Sequence, residues 1–178
     1  MYNLLVTAAE GTWEKRGYEY DRSRFLEYTN DKIAATFKDL NESHIEALKA
    51  LPCLFAYEGF EGNVRIGWLT NIKERGRSIL IEYKFHPGIE EIPYENLEPI
   101  STLLDIRQWE MNRTHWAIKD EDLFDRLKSA SLISKNIGEG AAKVTLKSRS
   151  SEPRAPTSRV STVQGFIGKV LSHKKQKL

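Results

Sequence analysis

The sequence predicts an α+β domain, an antiparallel sheet with a central β-hairpin packed against several helices, followed by a basic disordered C-terminal tail. Three observations carry this. Val64, Ile66, Trp68, Thr70 and Ile72 alternate with Arg65, Gly67, Leu69, Asn71 and Lys73, and after Glu74-Arg75-Gly76-Arg77 the residues Ile79, Ile81, Tyr83 and Phe85 alternate with Leu80, Glu82 and Lys84. Period-2 patterning on both sides of a glycine turn is a hairpin signal. Apolar residues at helical spacing, each run preceded by a capping side chain, mark helices elsewhere. Finally, the charge changes sign near residue 134: residues 1–133 hold 17 Lys+Arg against 23 Asp+Glu, a net of −6, and residues 134–178 hold 10 against 2, a net of +8. The acidic part carries all four Trp and all seven Tyr, whereas the basic part has the single aromatic Phe166. The domain is therefore placed at 1–133 and the tail at 134–178.

In chain order, Tyr2–Thr7 reads as a short strand broken by Gly11, and Gly17 opens the aromatic stretch Tyr18–Tyr20. Arg22–Tyr28 fits strand or loop. A helix starts at Thr29 or Asn30, either of which can cap free N–H groups, and places Ile33, Phe37 and Leu40 on one face. Asn41 caps the next helix, with Leu40 and Ile45 as a hydrophobic staple; Ile45, Leu48 and Leu51 line its buried side, and Pro52 stops it. Leu54–Tyr57 adds a strand before the hairpin, which needs one buried face because a lone two-stranded hairpin is marginal in water. Pro87-Gly88 ends the hairpin. Tyr94–Leu104 is helical, interrupted by Pro99. Asp105–Ile118 has two Trp and no clean period. Asp120 caps a last helix, with Leu123, Phe124 and Leu127 on its apolar side. From Ser134 the composition is that of a linker, except for an amphipathic segment, 161–172, opened by the capping-box sequence Ser161-Thr162-Val163-Gln164. Gly165 and Gly168 weaken that helix by about 1 kcal/mol each relative to Ala.

Composition excludes several classes. No apolar run approaches the ~20 residues of a membrane helix, and the N-terminus lacks the basic and apolar regions of a signal peptide. Hydrophobic and charged shares of 40% and 29% are those of a soluble chain. The single cysteine, Cys53, excludes an internal disulfide framework, reads as a buried inert thiol, and points to the cytoplasm. His44, His86, His115 and His173 lack zinc-ligand spacing. There is no G-x-S-x-G, no phosphate-binding P-loop and no dinucleotide fingerprint. No metal or cofactor is expected.

Three surfaces remain as candidates. The densest polar cluster is Asn112-Arg113-Thr114-His115, between Trp109 and Trp116. It reads either as a pocket, with Arg113 holding an anion, His115 moving a proton and the two Trp as walls, or as an irregular buried connection. Strands like those of the hairpin also occur in small SH3-like barrels, where Tyr57, Phe60, Trp68, Tyr83 and Tyr94 would line a binding groove; as inward positions they read first as core. The tail, with Lys169, Lys174, Lys175 and Lys177 near its end, suits non-specific phosphate neutralisation of a nucleic acid, with no interleaved aromatics for base stacking.

LEYT, LPCLFAYEG, VRIGWLTNI, IEYKF and WEMNRTHWAIKDEDLF, together spanning roughly residues 26–124, resemble an N-terminal module of bacterial multidomain proteins, some of them linked to mobile elements and phage defence. Ser158–Ser172 (SRVSTVQGFIGKVLS) resembles the amphipathic opening segment of the FRG domain, a family named for a Phe-Arg-Gly motif. That signature should follow shortly, but the chain reads HKKQKL instead. The resemblance therefore implies the accessory module and carries over no signature residue; it fits a truncated product of a longer gene or a stand-alone module. It implies a non-enzymatic binding or sensing module with a protein partner. The alternatives are a nucleic-acid-associated protein acting through the tail and a small enzyme using His115 and Arg113.

Overall fold

A computed structural model describes residues 1–60 and 62–138. It shows an α+β fold. Seven strands, β1 (Tyr2–Thr7), β2 (Gly17–Asp21), β3 (Pro52–Tyr57), β4 (Asn63–Arg75), β5 (Ser78–Phe85), β6 (Ile92–Pro93) and β7 (His115–Lys119), form one open sheet. Its order is β2-β5-β4-β3-β1-β7, with β6 pairing β4 off this path. Four helices accompany them: α1 (Asp31–Phe37), α2 (Glu42–Ala50), α3 (Tyr94–Leu97) and α4 (Leu123–Ser129). The predicted tail helix at 161–172 and the four tail lysines lie outside the described residues.

The sheet differs from the sequence expectation in three respects. It is mixed: β1 and β3 run parallel, Asn3 opposite Cys53 and Thr7 opposite Tyr57. A parallel pair needs a crossover, and residues 8–51, with β2, α1 and α2, supply it. Nor does the sheet close into a barrel. β2 and β7 stand at the two ends of the strand order, and a single parallel bridge, Phe25 to Trp116, spans from the segment after β2 to β7. The hairpin alternation also breaks, because the register with β5 skips between Leu69 and Asn71, a bulge at Thr70. Val64, Ile66 and Trp68 therefore face one core while Leu69 and Ile72 face the other.

Both faces of the sheet are covered. On one, Tyr2, Leu4, Val6, Leu54, Ala56 and Trp68 pack under α3, α4 and the 3-10 turns Glu98–Leu104 and Gln108–Asn112. On the other, Leu5, Phe55, Ile79, Ile81 and Trp116 pack against Phe37 of α1, Leu48 of α2 and Trp13. Double coverage explains why all six residues of β1 and all five of β7 are buried. Most of the aromatics proposed for a barrel groove are core: Trp68, Tyr83 and Tyr94 are buried, and Tyr57 is half-buried. Past residue 133, Ile137 still packs against the first core.

Caps are as expected at Asn30, which accepts from Lys32 N (3.0 Å), and at Asn41, which accepts from His44 N (2.9 Å). The last helix is capped not by Asp120 but by Asp122, which accepts from Asp125 N at 2.9 Å. Asn3, fully buried, ties the sheet to α2: its Nδ2 donates to Leu48 O (3.0 Å), its Oδ1 accepts from Trp116 Nε1 (3.0 Å), and Cys53 Sγ lies 3.4 Å away. Burial pushes the Cys53 thiol up to about 12, so it is inert, as the sequence suggested.

Candidate functional site

The polar cluster sits where the Gln108–Asn112 turn runs into β7, and its members part company. Trp109 is 55% exposed, with its ring edge-on to Tyr28 at 4.7 Å and Arg107 6.0 Å from its centre. Asn112 and Arg113 are exposed. The Arg113 guanidinium is already forked onto Glu27, with Nε–Oε2 3.0 Å and Nη2–Oε1 3.1 Å. Alternation along β7 sends His115, Ala117 and Lys119 to the first core and Trp116 and Ile118 to the second. Trp116 is fully buried between Phe25 and Tyr20 and walls no pocket.

His115 is fully buried. Its Nδ1 lies 2.7 Å from Arg113 O, and because a carbonyl only accepts, Nδ1 carries the proton and Nε2 is the bare nitrogen. Nε2 has no partner among the described residues. Burial pushes this histidine down from 6.5 to about 4, and Lys119 adds to the shift, so the ring is neutral at pH 7. A buried, neutral imidazole away from the Arg113 head is not the acid–base pair of the enzyme reading. Neither lines the groove at the ends of β1 and β3. Beside them is a polar contact the sequence did not announce: Lys119 Nζ reaches Glu110 Oε2 at 2.9 Å, both side chains almost wholly out of solvent, and also donates to Tyr28 O at 3.1 Å. Burial raises the Glu110 pKa, with Lys119 opposing the rise. Lys119 and Glu110 thus satisfy each other inside the core, while Arg113 spends its charge on Glu27 at the surface.

The concave surface lies next to it. A groove of about 590 Å³ opens at the carboxyl ends of the parallel strands β1 and β3, where Thr7 and Tyr57 are partners. Of the predicted site residues, Asn112 lines it. Its floor and walls include Ala8, Tyr57, Glu10, Glu14 and Glu58. Gly11, Gly59 and Gly62 turn the chain around it at φ 66°, 76° and 75°, a region open to glycine at little cost. Glu58 accepts from Thr114 Oγ1, which in turn accepts from Ala8 N (3.0 Å). Tyr57 OH donates to Glu14 Oε2 at 3.2 Å. Glu10 forms no ion pair or hydrogen bond with the described residues, and among these no Lys or Arg is in the lining, although Arg65 Nη2 reaches Glu14 Oε1 from beside it at 3.4 Å. The signal for this site was present in the sequence as three glycines and three glutamates clustered after two apolar strands; it was silent because only a parallel β1–β3 pairing brings 7–14 and 57–62 together.

Among the described residues no group of three or more His, Cys, Asp or Glu is placed to hold a metal ion, and no helix is long and apolar enough to cross a membrane. No protein-family model and no curated protein matches the chain.

Proposed function

We propose that residues 1–138 are a non-enzymatic binding module, of the kind implied by the resemblance to accessory modules of bacterial FRG-domain proteins, and that its ligand enters the groove at the ends of β1 and β3 as an organic cation. The single observation behind this is the groove itself, a concave surface at the end of the sheet with an aromatic wall and three carboxylates, of which Glu14 is paired with Arg65 while Glu10 has no cation partner among the described residues. Sites at the carboxyl ends of parallel strands are common in open sheets because loops there diverge and leave a crevice. A Lys or Arg side chain of an extended partner, or a free polyamine, satisfies Glu10 and lies along the Tyr57 ring.

Titrating the isotope-labelled protein with spermine, a Lys/Arg hexapeptide and a Glu hexapeptide tests this. Amide shifts at Gly11, Gly59 and Asn112 with the cationic probes alone, lost in a Glu10→Lys/Glu58→Lys double variant, are expected. Spermine alone shifting them identifies a small ligand, the peptide alone a protein segment. Shifts elsewhere, or with the acidic peptide, overturn the reading.

A further inference from the structure

The segment between β2 and α1 is held in an unusual way. Leu26 and Tyr28, neither a glycine, both adopt left-handed backbone conformations, φ 71° and 58°, which L-residues avoid. Strain of this kind persists only where the surroundings impose it. Here the outer edge of β7 imposes it: Leu26 N donates to Trp116 O (2.7 Å), Ile118 N donates to Thr29 Oγ1 (2.9 Å), Lys119 Nζ donates to Tyr28 O (3.1 Å), and the Arg113 fork grips Glu27. The segment is thus a strap over a sheet edge that would otherwise be open. Beneath it, the His115 ring meets the Tyr28 ring edge-on at 4.8 Å, with its bare Nε2 buried and unpartnered.

We propose that residues 25–29 form an acid-sensitive latch, which lifts off β7 when His115 takes up a second proton. The proton must land on Nε2, since Nδ1 already donates to Arg113 O. A charged N–H at Nε2 has no acceptor in the closed state, and burial of an unpaired charge is costly. The groups around the ring do not rescue it. Lys119, on the same strand, repels a positive ring and is committed to Glu110. Glu27, on the strap, and Glu58, after β3, attract it, but Glu27 is engaged by Arg113 and Arg24 and Glu58 by Thr114. Lifting the strap removes Tyr28 from the ring, lets water reach Nε2, and relieves both left-handed residues. The closed-state value of about 4 against 6.5 for a free histidine sets the size of the effect: the opening constant rises nearly tenfold per pH unit below 6.5 and gains about 300-fold in all. This rests on the strap geometry and not on the groove.

Amide hydrogen exchange at pH 7.5 and 5.0, corrected for the intrinsic rate, tests it. The Leu26 and Ile118 amides should exchange by a local opening, with less protection than the amides of β3 and β5, and their opening constant should rise about 30-fold at pH 5.0. Imidazole nitrogen shifts of the wild-type protein should show the Nδ1–H tautomer at pH 7.5, a readout that needs no variant. His115→Gln should keep the local opening and lose its pH dependence. Exchange of Leu26 and Ile118 only with global unfolding, a local opening indifferent to pH, or the Nε2–H tautomer would each overturn the latch.

Discussion

The Lys119–Glu110 pair shows what one residue can hold together. Lys119 stands on a strand with both faces covered, and its ammonium reaches one carboxylate and one strap carbonyl. Glu110 in turn accepts from Arg107 N at 3.0 Å, which fixes the turn before β7. Removing one partner of a buried pair leaves an uncompensated charge, at about 3–5 kcal/mol. Lys119→Met should lower the urea-unfolding free energy by that amount, and Glu110→Leu/Lys119→Met should recover part of it. Equal losses in the single and double variants would show that the pair is mere packing. Gly67 acts at the same scale by what it lacks: a Cβ there would sit 2.1 Å from Lys84 O, so β4 and β5 approach at this point only because the side chain is absent.

At the level of elements, helix caps give the sharpest test. Asp122 caps α4 while Asp120 is exposed and outside it, so Asp122→Ala should cost about 1 kcal/mol and Asp120→Ala less than about 0.5 kcal/mol in thermal or urea unfolding. The reverse order would move the start of the helix. Elements that carry local signals were legible in the sequence: β1 at Tyr2–Thr7, the Asn30 and Asn41 caps, and the β4–β5 turn at Gly76, φ 59°. β7 was not, because every residue in it is buried and two of them are His115 and Lys119, so neither alternation nor a plain apolar run survives. The bulge at Thr70 was hidden for a related reason. Trp68 and Leu69 before it and Ile72 after it are all apolar in a chain with two cores, so the even-numbered alternation continues in the sequence while the faces exchange. The groove was illegible because its two rims are distant in sequence, and the polar quartet between Trp109 and Trp116 divides between an exposed Arg113 paired with Glu27 and a buried, neutral His115.

For the whole molecule, pH and topology set the limits. His115 is neutral when folded, with its value lowered to about 4, and ordinary near 6.5 when unfolded. The unfolded chain therefore gains the proton first. The stability tied to this residue is complete above pH 6.5, falls as the pH drops, and stops falling below about 4. About 2 kcal/mol is lost by pH 5. Urea-unfolding free energies at pH 7.5 and 5.0 should differ by about 2 kcal/mol more in the wild type than in His115→Gln; parallel behaviour of the two would assign the acid response to other groups. Topology acts on a different axis. β1 lies between β3 and β7, and the Trp116–Asn3 hydrogen bond closes a separation of 113 residues. Such pairings make folding slow because loop entropy is lost before the contacts form. During synthesis β1 emerges first and its second neighbour last. Until residue 119 has cleared the ribosome, β1 has an open, largely apolar edge, while the β4–β5 hairpin can already form. The nascent chain thus passes through a stage at which a strand that is interior in the finished sheet is its exposed border, and that border is where association with chaperones or with other nascent copies would begin.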